Sequence, residues 1–286
     1  MNKPNLFILG AAKSGTTSLY YYLKQHPEIF MSPVKEPSFF CWPFQVVKNP
    51  AEYFQLFAKD GNRPIRGEAS HVYLTHPESP PMLSLLFPDA KFLVILRNPV
   101  DRAYSLYHYM RMMGYEYIVS FEKALEIEEK RFNSKRFQKR CPHYFYNYLY
   151  FRSGLYAQQL QRYLSHFKLE QFHILSQEHL KTNPLQALRE IFRFLEVLED
   201  FIPEIEIHNR SRYTSRWPKW QYFLRTWAGP GAQKLGLRFL RHKFRKMRKK
   251  NYREIPPMKE QTRKNLMDRY HKDMVTLYNL TQISFL

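Results

Sequence analysis

A lysine set between two glycines and followed at once by hydroxyl residues is the first chemistry this chain offers. Residues 10–17 read Gly10-Ala11-Ala12-Lys13-Ser14-Gly15-Thr16-Thr17, with Ser18 next. The apolar run before them, residues 5–9, suits a buried strand, and the residues after Thr16 suit a helix. A glycine-bearing turn between strand and helix directs backbone N–H groups and the positive helix terminus at one point, where Lys13 adds a full charge. The natural occupant is a phosphate. A Walker loop, however, places its lysine directly after the second glycine, followed by a hydroxyl that holds magnesium. Here Lys13 lies two residues before Gly15. The strand expected at residues 91–96 ends in Arg97-Asn98-Pro99, where an NTPase would place a metal-binding acid. Together these features indicate a phosphorylated nucleotide bound without magnesium and argue against ATP hydrolysis.

The loop at residues 10–17, the segment Leu96-Arg97-Asn98-Pro99-Val100-Asp101-Arg102-Ala103-Tyr104-Ser105 and the segment Arg152-Ser153-Gly154-Leu155-Tyr156 resemble the cofactor motifs of PAPS-dependent sulfotransferases. They stand in the family's order and at about its spacing, and the resemblance covers roughly the first 200 residues. Residues 35–40, Lys-Glu-Pro-Ser-Phe-Phe, and 67–70, Gly-Glu-Ala-Ser, are most similar to the bacterial and heparan sulfate branch. The resemblance implies PAPS as donor, PAP as product and no metal. It places the 5′-phosphosulfate on Ala12, Lys13, Ser14, Gly15, Thr16, Thr17 and Ser18, and the 3′-phosphate and adenosine on Arg97, Ser105 and Tyr156. Arg210 and Arg212 fall where the family brings a basic loop over the cofactor. Glu36 falls at its catalytic glutamate, the base that takes the acceptor's proton.

The residues allow their own reading beside this. Pro37 disfavours helical geometry at Glu36 and predicts an extended backbone presenting the carboxylate at the rim of a site. Residues 68–71 follow a predicted strand and should face the cleft, with His71 either an auxiliary acid or base or a hydrogen-bonded structural histidine. Ala69 stands where many heparan sulfate enzymes carry lysine, and Ser38 where some carry histidine. Both departures weigh against a heparan-like acceptor.

The elements that must position these groups alternate strand and helix, which predicts an α/β fold: a P-loop-like, three-layer arrangement with a central parallel sheet flanked by helices. One domain spanning residues 1–286 is expected, with no linker or repeat. Helices are expected near residues 51–58, 78–87, 110–139, 184–198 and 261–280. The aromatic stretch at residues 144–151, in which six of eight residues are aromatic, reads either as core or as an acceptor platform. Residues 207–253 contain fifteen Lys or Arg and no acid, most of the net charge of +20. Within them, residues 234–250 have an amphipathic pattern that suits a lid, a solvated helix, or a surface for acidic membranes or a polyanionic acceptor.

No predicted segment is long and apolar enough to span a membrane, and no signal-peptide pattern opens the sequence, so a cytoplasmic location is expected. The two cysteines, Cys41 and Cys141, are expected as free thiols. Acceptors within reach of this reading are a glycan or a small-molecule natural product, through a hydroxyl or amine. Two other readings compete: a P-loop small-molecule kinase, disfavoured by the displaced lysine, and a basic nucleic-acid-binding protein, for which no module is recognisable. Neither oligomeric state nor acceptor follows from the residues.

Overall fold

The computed structural model describes residues 3–206, 213–228, 247 and 251–285. Its organising element is a five-stranded, all-parallel sheet of β1 (Leu6–Gly10), β2 (Ile29–Met31), β3 (Ile65–Ala69), β4 (Lys91–Leu96) and β5 (Phe172–Ser176), in the order β2-β3-β1-β4-β5. All five residues of β1 are buried, as a central parallel strand covered on both faces requires. Alternation along the strands sorts the two faces by chemistry. Leu6 and Ile8 turn to an aliphatic layer with Leu93 and Ile95, covered by α1 (Thr16–Gln25) and by the helix Pro184–Leu195. Phe7 and Phe92 turn the other way into an aromatic layer that includes Phe40, Phe87, Tyr163 and Phe172. The predicted three-layer α/β architecture is therefore present.

Chain contacts divide the protein into two compact units, one of Met1–Pro99, Leu155–Asn209 and His271–Leu286, the other of Val100–Gly154 and Arg210–Tyr270. The sheet belongs to the first. Within the second, a buried ion pair joins Arg131 to Glu116 through two contacts of 2.7 and 2.9 Å, and the Tyr150 hydroxyl donates to the same carboxylate at 2.8 Å. A bidentate guanidinium and a phenol satisfy an acid that would be costly to bury alone.

Several sequence expectations change here. The helical stretch expected at residues 110–139 is broken: one helix ends at Met113, and Phe121–Glu126, Glu128–Phe132 and Lys135–Arg140 are short separate helices. Gly114 at φ +78° closes the first of them, and Ser120 and Ser134 cap the beginnings of two others with their side chains. The aromatic stretch at 144–151 is core, because Tyr144, Tyr148 and Tyr150 are all buried. The short strand β2 is a sheet edge. Residues 234–246 and 248–250 lie outside the described residues, so the amphipathic reading of 234–250 is not addressed. Among the described residues no helix is long and apolar enough to cross a membrane, and neither cysteine is in a disulfide.

Candidate active site

At the carboxyl end of β1 the chain turns through residues 10–15 into α1. Two glycines make the turn possible. A Cβ built on Gly10 would lie 3.2 Å from the His71 carbonyl oxygen, and Gly15, at φ +104°, lies 3.3 Å by the same measure from Ile95 Cδ1. Lys13 adopts φ +67°, and the Ala11 N–H donates to the Ile95 carbonyl at 2.7 Å, tying the loop to the central strand. The N-terminus of α1 begins after Gly15 with no side-chain cap and no acidic residue in its first turn. Thr16, Thr17 and Ser18 occupy that turn, where helix N–H groups have no intrahelical partner. Ser14 is fully buried, and its hydroxyl has no hydrogen-bond partner among the described residues.

Charge at this loop is crowded. Burial, then the neighbouring Arg97 and Lys35 charges, bring the Lys13 ammonium down to about 8. Arg97 follows β4 directly, with its guanidinium 3.5 Å from the Lys13 carbonyl oxygen. The buried Tyr156 side chain donates its hydroxyl to the Arg97 carbonyl at 3.0 Å, holding the backbone that carries the guanidinium. Three cations gathered at an uncapped helix terminus, with a buried hydroxyl lacking a protein partner, form a cradle suited to a multiply charged anion. The phosphosulfate implied by the sequence fits it. Ser105 lies in the second unit, on the second turn of Pro99–Met113, and its buried hydroxyl also has no partner among the described residues. Arg210 and Arg212 lie outside the described residues.

The loop's neighbour is a four-part junction between residues 36–40 and 68–73. The Glu36 N–H donates to the Ala69 carbonyl at 2.9 Å, and the His71 N–H donates back to Glu36 Oε2 at 2.9 Å. The Ser38 N–H donates to Ser70 Oγ at 3.0 Å, and the Phe40 N–H to the Tyr73 hydroxyl at 3.2 Å. Glu36 is not extended as Pro37 led us to expect. It sits at φ +63° and Ser38 at φ +52°, left-handed conformations that cost energy for residues with a Cβ. The junction's hydrogen bonds maintain them.

Glu36 Oε2 lies 2.7 Å from His71 Nδ1, and Oε1 accepts from Lys35 Nζ. Burial pushes this carboxyl up, but the His71 and Lys35 charges and hydrogen bonds outweigh it and hold it well below the usual carboxylate range. Glu36 is therefore ionised throughout the neutral range. Glu68 differs. It is fully buried rather than facing a cleft, because β3 turns it into the aromatic layer, where it accepts hydroxyls from Tyr53 at 2.6 Å, Tyr73 at 3.0 Å and Ser70 at 2.9 Å. Burial raises it to about 7, against the lowering effect of those three hydroxyls and with a further rise from the Glu36 charge. Asp101 pairs with Arg263.

Sequence reasoning thus located Lys13, Ser14, Gly15, Thr16, Glu36, His71, Arg97 and Tyr156 in the sheet-bearing unit, with the loop, Arg97 and the Glu36–His71 pair at the carboxyl ends of adjacent strands. It missed Lys35 as a member of the cation cluster and Tyr53 as a partner of Glu68. The doublet Lys35-Glu36 was a usable signal for the first; nothing marked Tyr53, 15 residues before Glu68 on the helix Pro50–Gln55.

An uncapped helix terminus with cations on a parallel α/β sheet, beside a paired carboxylate and imidazole, suits group transfer from an anionic donor, and no metal-ligating cluster occurs among the described residues. Comparison with known proteins names the group. The sulfotransferase domain model matches residues 3–216, so the chain belongs to the sulfotransferase family. A sulfotransferase from Alicyclobacillus acidocaldarius of known crystal structure aligns over 100% of this chain and 98% of its own, with a TM-score of 0.75 and 29% identity. A membrane-associated sulfotransferase of Dictyostelium discoideum is 25% identical over 264 residues, covering 68% of this chain and 56% of that protein. A bifunctional heparan sulfate N-deacetylase/N-sulfotransferase of Caenorhabditis elegans is 27% identical over 218 residues, 74% of this chain and 24% of its own length. The chain therefore spans just over half of one curated relative and about a quarter of the other. Family membership sets aside the kinase and nucleic-acid readings and agrees with the domain class read from sequence, a sulfotransferase that uses PAPS and yields PAP.

Proposed function

We propose that this protein moves a sulfuryl group from PAPS to a hydroxyl or amine of a glycan or small-molecule acceptor, with Lys13 and the α1 N-terminus holding the 5′ end of the donor and Glu36 receiving the acceptor's proton. The observation that carries this reading is the Lys13 cluster beside the Glu36–His71 pair, joined through the close approach of Gly10 to His71. PAPS, when bound, supplies a sulfuryl group already activated by its phosphate leaving group. Lys13, the amides of residues 15–17 and the Ser14 hydroxyl stabilise charge on that phosphate, and Arg97 provides a guanidinium for the remaining anionic end. Lys35 and His71 keep Glu36 deprotonated and fixed; Oε2 is engaged by the His71 N–H and ring nitrogen, which leaves Oε1, held by Lys35 alone, as the oxygen to accept a proton.

The heparan sulfate relatives and the basic segment at 207–253 support a glycan among the acceptors, while Ala69 and Ser38 distinguish this chain from many of those enzymes. Contact with acidic membranes through 234–250 is a further part of this reading, supported by the sequence pattern there. Incorporation of labelled sulfate from PAPS into a panel of glycans, lipids and small alcohols or amines tests the assignment. Glu36→Gln should keep PAP affinity and lose about 100-fold or more of turnover, the usual contribution of a positioned base; unchanged turnover would refute the role.

One observation favours a second arrangement of the proton transfer. With Nδ1 held at 2.7 Å by Glu36, the His71 ring is oriented by a carboxylate, and Nε2 becomes the proton acceptor. In that case His71→Asn matches Glu36→Gln in its loss of turnover, whereas a direct role for Glu36 leaves His71→Asn with most of its activity.

A further inference from the structure

We propose that Glu68 is a positioning residue: through the hydroxyls of Ser70 and Tyr73 it holds residues 36–40 in the left-handed geometry that presents the Glu36 carboxylate. The inference rests on the assignment of Glu36 as proton acceptor above, and on the connectivity of the hydrogen bonds beneath it.

A hydroxyl can donate one hydrogen bond and accept others, so its orientation is decided by the strongest acceptor nearby. Glu68 is that acceptor for three hydroxyls. Ser70 donates to Oε2 at 2.9 Å, and Tyr73 and Tyr53 donate to Oε1 at 3.0 and 2.6 Å. With their protons directed at Glu68, the Ser70 and Tyr73 oxygens turn lone pairs outward, and these receive the Ser38 and Phe40 N–H groups. Both N–H groups follow Pro37, a residue with no N–H of its own, so residues 38 and 40 are tied to Ser70 and Tyr73 just beyond the end of β3. On either side of Pro37, Glu36 and Ser38 take φ values of +63° and +52°, which the free chain would not favour. Tyr53, which fills the other side of Oε1, stacks on Phe39 with ring centroids 4.5 Å apart. The same carboxylate thus bears on the segment through its backbone and through an aromatic side chain. An acid buried at this depth is expensive to keep. A purely structural packing position would be filled more cheaply by an apolar side chain, and the three hydroxyls would then have no common acceptor.

Three variants test the proposal: Glu68→Gln, Ser70→Ala and Tyr73→Phe. The last two remove one hydroxyl each with little change of volume. For each, kcat and acceptor KM are measured by sulfate transfer, PAP affinity by calorimetry and folding by thermal unfolding. We expect kcat to fall about 10-fold or more in Glu68→Gln and 3- to 10-fold in the other two, with acceptor KM and PAP affinity within about twofold of wild type. The effects of Glu68→Gln and Ser70→Ala should not add in the double variant, since both break one chain of contacts. Unchanged kcat in the folded variants, beside an inactive Glu36→Gln, overturns the positioning role and leaves Glu36 in place. A loss of PAP affinity as large as the loss of kcat overturns it too, by showing a general disturbance of the site. An active Glu36→Gln overturns the parent reading instead, whatever the three variants do.

Discussion

Lys13 should make donor binding proton-linked, and the size of the effect follows from its surroundings. In the ligand-free protein, burial and the charges of Arg97 and Lys35 lower this ammonium from 10.5 to about 8, roughly 3 kcal/mol of unfavourable interaction with the charged form. A bound anion reverses that balance, because phosphate opposite Lys13 favours the ammonium and screens it from its cationic neighbours. Lys13 then has a higher pKa in the complex than in the free protein. Binding energy that depends on the ammonium is complete below the free value and fades as pH rises through about 8 toward the bound value. If the bound value returns to the ordinary range, PAP affinity should weaken about 25-fold between pH 7.5 and 9.5, a window in which the ligand's own phosphates stay fully ionised. Calorimetric titration of PAP at pH 9 in two buffers of different ionisation enthalpy should show close to one proton taken up per PAP bound. Lys13→Arg, charged at every pH used, should bind with no proton uptake and a flat profile; Lys13→Met should bind more weakly at pH 7.5 and also lose the slope. A wild-type affinity constant within twofold across that window, with no proton uptake, would show that the cation cluster is not where the anion binds.

Three further outcomes follow from the same geometry. Arg97→Ala should weaken PAP by about 10- to 100-fold, the loss of charge-assisted hydrogen bonds of about 1.5–3 kcal/mol, while weakening AMP far less, as competition binding would reveal. Gly15→Ala forces a Cβ onto a residue at φ +104° and 3.3 Å from Ile95 Cδ1; it should lower stability by about 1–3 kcal/mol and abolish PAP-induced stabilisation in a thermal shift assay. Glu68 carries a pH signature of its own. Its carboxyl, raised to about 7 from 4.5, holds its proton in the folded state longer than in the unfolded chain, so the stability it confers is present below the unfolded value and lost as pH rises toward 7. Glu68→Gln should remove that slope, shifting the wild-type-minus-variant stability by about 2 kcal/mol between pH 5 and 7.5; a difference constant with pH would contradict the burial argument.

Much of this protein was legible in its residues because the relevant physics is local. A glycine-bounded loop between an apolar strand and a helix has few ways to fold, and the position of Lys13 within it separates this chemistry from Walker-type NTP hydrolysis without reference to any distant residue. The continuous apolar character of residues 91–96 announced a doubly covered parallel strand, and Arg97 at its end could be placed by chain position alone. Contacts between distant segments were not available in that way. Pro37 argued for an extended Glu36, yet the hydrogen bonds from residues 69–73 outweigh the local preference and hold φ at +63°. The aromatic run at 144–151 could have been platform or core, and only packing showed Tyr144, Tyr148 and Tyr150 buried. Glu68 is the clearest case. In sequence it is an acid after a strand, expected in a cleft; in the fold it is a fully buried acceptor for Tyr53, Ser70 and Tyr73. Sequence by itself determined the strand–loop–helix that carries Lys13 and the chemical class that goes with it. Tertiary structure alone decided which carboxylate is ionised and presented and which is buried, because a carboxyl's proton affinity depends on burial and on partners brought from elsewhere in the chain.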